Sequence, residues 1–268
     1  MTTATIVGLG KIGLQLAVQV AGAGVETWGV DISPRVIDLV AAGQPPFPGE
    51  PDLDDRLSMV VGNGMLQPTL DAASAVAASD VVVVVVPLVV DDQARPAFSG
   101  LDQATAAIAP ALRRGTLVVY ETTLPVGTTR GRLLPALAEG SGLGLGEGLL
   151  VAHSPERVSS GRVFDDLRRY PKLVGGVDRA SGDRAAAFYR EVLEFDERPD
   201  LLRPNGVWDL GSAEAAELTK LAETTYRDLN IAYANELAGY AEHLGIDIAP
   251  VIAAANSQPY SHIHSPGF

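Results

Sequence analysis

The chain has 268 residues, 47% of them hydrophobic, enough for one large domain or one and a half with a substantial core. Its formal net charge of −13 argues against nucleic acid and anionic membranes as partners. The lack of cysteine excludes disulfides, thiolate metal sites and thiol nucleophiles within these residues, and no other metal site is read from the sequence.

The first predicted strand, residues 4–7, feeds into Gly8-x-Gly10-x-x-Gly13 and a helical pattern over 13–23. A second strand, 27–30, ends on Asp31. Strand, glycine turn, helix, strand and acid in this order form a dinucleotide-binding fingerprint. Gly8 permits the tight turn, Gly10 lets backbone approach a pyrophosphate, and Gly13 lets the helix pack on the sheet. Lys11 and Ile12 complete the turn, and the helix N-terminus offers unpaired N–H groups to phosphate. Asp31 is expected to accept hydrogen bonds from the adenosine ribose and to repel a 2′-phosphate, so NAD is favoured over NADP.

Further strands are expected at 66–69, 81–86, 117–120 and 149–153, with one or two more near 172–177 and 201–202. They are apolar on both faces, as buried parallel strands are. Helical patterns lie between them at 34–42, 53–60, 71–78, 101–112, 128–137 and 180–193. This alternation predicts an α/β fold, a doubly wound parallel Rossmann-like sheet. Residues 44–51 read as a Pro/Gly-rich loop and 141–148 as a flexible Gly/Leu-rich one. With a strand opening at residue 4 no signal peptide is expected, and 81–86 is too short to span a bilayer; a cytoplasmic protein is the default expectation.

Around residue 210 the pattern changes to one long helix over 212–244, with Ser212 as N-cap and Gly245 as stop, then a short helix at 249–255 and a patternless tail. The division expected is therefore 1–205 for a cofactor-binding domain and 206–268 for a helical region. Tyr226, Tyr233 and Tyr240 recur every seven residues beside Leu229, Leu237 and Leu244. Such a stripe is buried either within the chain or against a second copy in a homodimer.

Three segments carry candidate chemistry. Thr122 and Thr123, after the strand at 117–120, are placed to donate to a cofactor or a water, or else to cap the helix expected near 128. Glu156, in His153-Ser-Pro-Glu-Arg-Val, sits at the same sheet edge as a base or as a surface acid. Glu217 and Lys220 are spaced as an ordinary i, i+3 helix pair.

The ordered motifs G-L-G-x-x-G-L-x-L-A, G-V-D, E-P-x-L at 50–53, E-T-T-L-P-V-G-T-T, S-P-E-R-V-x-x-G and A-E-x-x-K-L-x-E-x-T-Y-R-D-x-N-I-A-x-x-N-E-L resemble the nucleotide-sugar 6-dehydrogenases over essentially the whole chain. The S-P-E-R-V form is more similar to the UDP-N-acetylmannosamine branch than to the UDP-glucose branch. Members oxidise the C6 alcohol of a UDP-sugar twice with two NAD, in polysaccharide or secondary-metabolite biosynthesis. The resemblance implies that Thr123 holds a water near the reacting carbon, that Glu156 is the acid/base, and that Lys220 stabilises the developing alkoxide. It assigns Gly8, Gly10, Lys11, Ile12, Gly13 and Asp31 to the cofactor, with Arg35 beside the ribose and Pro87 and Thr123 along the same site. The substrate it implies is a sugar or nucleotide sugar.

The departures are specific. The family has asparagine where this chain has Thr224, and Thr-Pro where Leu88-Val89 follows Val86-Pro87. The tail at 261–268 resembles the segment just before the family's P-G-x-G-x-G-G-H-C, so the catalytic-cysteine segment and the UDP-binding C-terminal domain are not among these residues. The second oxidation needs a covalent thiohemiacetal, whereas hydride transfer from an alcohol does not. Three readings follow: a nucleotide-sugar dehydrogenase whose remainder was removed or lies on another chain, a short two-electron alcohol/carbonyl oxidoreductase for a smaller substrate, or a non-catalytic NAD-binding protein.

Overall fold

The computed structural model describes residues 2–267 and divides the chain into two compact units, residues 1–218 and 219–268. The first unit is built on an eight-stranded sheet. Its strands are β1 (Thr3–Val7), β2 (Glu26–Val30), β3 (Leu66–Thr69), β4 (Val81–Val84), β7 (Leu117–Tyr120), β8 (Leu150–His153), β9 (Lys172–Gly176) and β10 (Val207–Asp209). The spatial order is β10-β9-β8-β7-β4-β1-β2-β3. A short antiparallel hairpin, β5 (Val89–Val90) and β6 (Pro96–Ala97), follows β4.

Period-two side-chain alternation explains the two cores. Ala4 and Ile6, Val81 and Val83, and Leu117 and Val119 face one side. There they meet α1 (Gly13–Gly22), α3 (Leu53–Gly62), α7 (Val163–Arg169) and α8 (Arg179–Val192). Val82, Val84, Val118 and Tyr120 face the other, against α4 (Ala72–Ala77), α5 (Ser99–Ile108) and α6 (Leu134–Ser141). All four valines of β4 are 0% exposed, each contributing roughly 1.5–3 kcal/mol through burial. The short helix α2 (Pro34–Ala41) follows β2, capped by Ser33.

Several expectations need correction. The sheet is not wholly parallel, because β8 and β9 pair antiparallel, Ala152 with Gly176 and His153 with Gly175. The connection from β8 to β9 therefore leaves and returns at one edge, carrying α7, which no sequence pattern had marked. Residues 201–202 are bends, with Leu202 fully exposed, and the last strand instead runs Val207–Asp209, beyond Pro204. The helix expected from 128 opens as a π-helical turn over Thr129–Leu133 before α6. Pro135 lacks the N–H that would bond four residues back, which accounts for the wider turn.

The long helix α9 is Ala213–His243; Ser212 caps it by accepting from Ala215 N (3.2 Å), and Gly245 follows at φ +65°. The second unit comprises the rest of α9 from Thr219, then α10 (Ile248–Ala255) and the tail. Three asparagines grip that tail. Asn230 donates to His262 O (2.6 Å) and accepts from His264 N (2.8 Å). Asn235 exchanges the same pair with Gly267, and Asn256 with Ile263. Of the stripe on α9, Tyr226, Leu229, Tyr233, Tyr240 and Leu244 are 54–68% exposed, while Leu237 is half-buried.

Candidate active site

The chain order of the strands reverses between β1 and β4, the place where open α/β sheets bind ligands. A cavity of about 570 Å³ opens there beyond the strand C-termini. Gly8, Gly10, Asp31, Ile32, Leu70 and Pro87 are among its lining. Gly8 has φ +96°, and a side chain there would press on Val85 O at 3.1 Å. A Cβ on Gly13 would lie 1.8 Å from Gly8 O, so α1 packs this closely only with glycine. At Gly10 nothing stands within 4 Å, leaving bare backbone to the cavity.

Asp31 is fixed at the end of β2. Its Oδ2 accepts from Leu9 N and its Oδ1 from Ser33 N, each at 2.9 Å. Each oxygen keeps a further acceptor site for ribose hydroxyls. These residues fit a dinucleotide: a turn whose Gly8 and Gly13 exclude side chains and whose Gly10 leaves space open, a fixed carboxylate and an apolar cavity of suitable size. Other candidates stand apart from the cavity. Ile12 packs against the core, Lys11 is exposed, and both precede the first turn of α1. Arg35 is exposed on α2 and does not border the cavity. Ile32 (98% exposed) and Leu70 (54%) were missed by the sequence reading; an isolated apolar residue in a loop gives no periodic signal.

Beyond β7 and β8 the ladder continues: Glu121 N donates to Val84 O (3.0 Å), and Glu156 N to Glu121 O (3.2 Å). Thr122 Oγ1 donates to Val86 O (2.5 Å), tying this loop to the cavity wall, while Thr123 is exposed beside it. Neither threonine caps the following helix. Glu217 does so instead, accepting from Gly127 N (2.6 Å), Thr129 N (2.8 Å) and Thr129 Oγ1 (2.6 Å) while 0% exposed. Beyond its i, i+3 spacing to Lys220, Glu217 is thus engaged by the loop at 127–129. Its neighbour Glu214 takes the Arg130 guanidinium at 2.5 and 3.3 Å.

Glu156 is no loose surface acid. Oε1 accepts from Arg157 N (2.6 Å) and Val158 N (3.0 Å), and Oε2 from Lys172 Nζ (3.2 Å). Burial opposes its charge, yet the ammonium and the two N–H groups hold it below the ordinary carboxylate range. Lys172 also lies 2.8 Å from Glu121 Oε1, whose other partner is the Tyr189 hydroxyl. Burial pushes Glu121 up to about 7 against the pull of Lys172. His153 is fully buried, and burial followed by the Lys172 charge brings it down to about 3. Glu121, Lys172 and Tyr189 escaped the sequence reading. The available signal was a lone lysine heading a buried strand, since a buried charge requires partners.

In the second unit Lys220 is half-buried on α9. Thr224 Oγ1 donates back to the helix, toward Lys220 O (2.9 Å) and Leu221 O (3.2 Å). The hydroxyl thus spends its proton on backbone, where the family's asparagine would offer an amide.

The sheet order, with a cavity at its reversal point, defines a dinucleotide-binding α/β fold. Residues 2–193 match the NAD binding domain of the UDP-glucose/GDP-mannose dehydrogenase family and residues 214–268 its central domain. The chain belongs to this family, and NAD is the cofactor of its first domain. It is 37% identical over 266 residues to the UDP-N-acetyl-D-mannosamine dehydrogenase of Pyrococcus horikoshii, covering 98% of this chain and 59% of that protein. A solved structure of UDP-D-ManNAc dehydrogenase from that organism superposes with a TM-score of 0.90 at 34% identity, over 99% of this chain and 60% of the other. A ternary complex of GDP-mannose dehydrogenase from Pseudomonas aeruginosa gives 0.86 at 26% identity, over 97% and 58%. The chain thus spans about 60% of the length of these relatives. Among the described residues no helix is long and apolar enough to cross a membrane.

Proposed function

We propose that this chain carries the NAD-dependent oxidation of a CH–OH group of a nucleotide sugar, of the UDP-N-acetylmannosamine type. The observation that supports it most is the C-terminal edge of the sheet. The same edge bears the dinucleotide cavity and, on the loop after β8, a carboxylate held in its ionised form. Bound NAD supplies the acceptor for the hydride leaving the alcohol carbon. Glu156 takes the hydroxyl proton, directly or through a water held by Thr123. Lys220 steadies the alkoxide that precedes hydride loss, an electrostatic role. The alcohol loses one proton and one hydride and becomes a carbonyl.

Within these 268 residues no thiol is present to convert that carbonyl into a second hydride donor. One NADH per sugar is therefore expected when the purified chain is incubated with NAD and UDP-N-acetylmannosamine or UDP-glucose, with a carbonyl product by mass. Two NADH and a carboxylate from this chain alone contradict the single-step reading. Lys220→Ala is expected to lower kcat by about 10²–10³, the usual loss for one electrostatic donor, with little change in NAD affinity. A second reading, alcohol oxidation on a smaller substrate, is favoured by Thr224, whose hydroxyl bonds its own helix. NADH formation with small hydroxy compounds but with neither nucleotide sugar selects it.

A further inference from the structure

Lys172 plays no part in the cofactor cavity, yet its side chain is 5% exposed and faces charged or titratable groups on every side. The loop after β7 presents Glu121. β8 and its loop present His153 and Glu156. From α8 comes Tyr189, its ring 4.7 Å below the ammonium. Around Glu156 and Lys172 the pocket wall also holds Asp166, Tyr170 and Arg157. Asp166 is paired with Arg162 at 2.7 Å, and Arg157 lies over the Tyr170 ring.

The antiparallel direction of β9 is what brings this lysine here. Ala152 pairs with Gly176 and His153 with Gly175; continuing that register sets position 156 opposite position 172. A parallel β9 would have begun at the far edge of the sheet. A buried ion cluster adds little stability over apolar residues of equal volume, so its effect lies in geometry and charge. Two carboxylates share one ammonium here; burial opposes the charge of both, and at the fully buried Glu121 it prevails. Glu156, with two backbone N–H groups besides, remains the ionised member. Environments that drive neighbouring carboxyls apart give them separate roles.

We propose that Lys172 is a positioning residue for Glu156: its ammonium, anchored by Glu121 and Tyr189, fixes the orientation and charge of that carboxylate at the functional sheet edge. The proposal rests on the reading of Glu156 as the acid/base of the reaction.

The test is carboxyl carbon NMR of the glutamate-labelled full chain, with the Glu156 signal identified by its loss in Glu156→Gln. In the wild type the signal should titrate below the ordinary glutamate midpoint. Lys172→Met should raise that midpoint by about one pH unit or more, since two buried carboxylates then share a proton, and Lys172→Arg should bring it back. In turnover with NAD and UDP-N-acetylmannosamine, the acid limb of the kcat profile should move with it. On that limb, at pH values below both midpoints, about tenfold of kcat should be lost, with KM for NAD altered less than about twofold.

A folded Lys172→Met protein whose Glu156 midpoint equals that of the wild type overturns the proposal. If that variant does not fold, Glu121→Gln decides. The ammonium then still faces Glu156, whose midpoint must stay low, and a rise to the ordinary value overturns the proposal. A wild type without turnover removes the functional reading, while the titration still judges Lys172.

Discussion

Asp31 does two jobs with one carboxylate. Each oxygen accepts a backbone N–H, from Leu9 and Ser33, and so pins the glycine turn to the end of β2. In the proposed binding mode its outward acceptor sites take the ribose hydroxyls. Asp31→Ala is expected to weaken NADH binding by about 1–3 kcal/mol, the scale of hydrogen bonds to a charged acceptor. Nicotinamide fluorescence measures it, with NADPH as comparison; equal or tighter NADPH binding to the wild type counts against the assignment. Asp31 and the three glycines were legible in the sequence because their chemistry is local: a turn, a helix start and a strand end within thirty residues. Lys172 and Glu121 lie 51 positions apart, and nothing local tells either that the other exists.

At the level of elements, apolar runs and helical periods placed the strands β1 to β4, β7 and β8 and the helix α9 within a few residues. They could not give the direction of β9, since parallel and antiparallel buried strands carry the same apolar pattern. Nor did they expose α7, seven residues long and flanked by charge. The start of the π-helical segment shows another kind of hidden link. Its N–H groups are satisfied by Glu217, 88 and 90 residues away. Glu217→Ala leaves the Gly127 and Thr129 donors without that partner, and a loss of about 3 kcal/mol in unfolding free energy is expected. Urea unfolding followed by circular dichroism is the measurement; a loss under about 0.5 kcal/mol shows that water or a neighbouring side chain replaces the carboxylate.

For the whole molecule, the exposed stripe on α9 supports the proposal of a homodimer. Five large side chains at helical spacing stand more than half exposed, and contiguous apolar patches of this kind mark interaction surfaces. A second copy of the same helix, with its rows of tyrosine and leucine, would satisfy them by symmetry. Light scattering at micromolar concentration should give twice the chain mass, and a Tyr233→Glu variant should fall to the single-chain mass. A monomeric wild type refutes the arrangement. The stripe itself was visible from the seven-residue tyrosine spacing. Whether the chain covered it internally was not, because that depends on the path of every other segment.

The asparagines that hold the tail act as imitation peptide units, each giving one N–H and taking one back. They recognise main chain and are indifferent to which side chains the tail bears. The grip depends on a bond that water can break. Hydrolysis of a single side-chain amide at Asn230 or Asn235 would turn a donor into a second acceptor and set a carboxylate against a carbonyl oxygen. One atom exchanged, nitrogen for oxygen, would convert a two-point clasp into a repulsion, and the ordering of residues 262–267 is thereby tied to the chemical age of the protein.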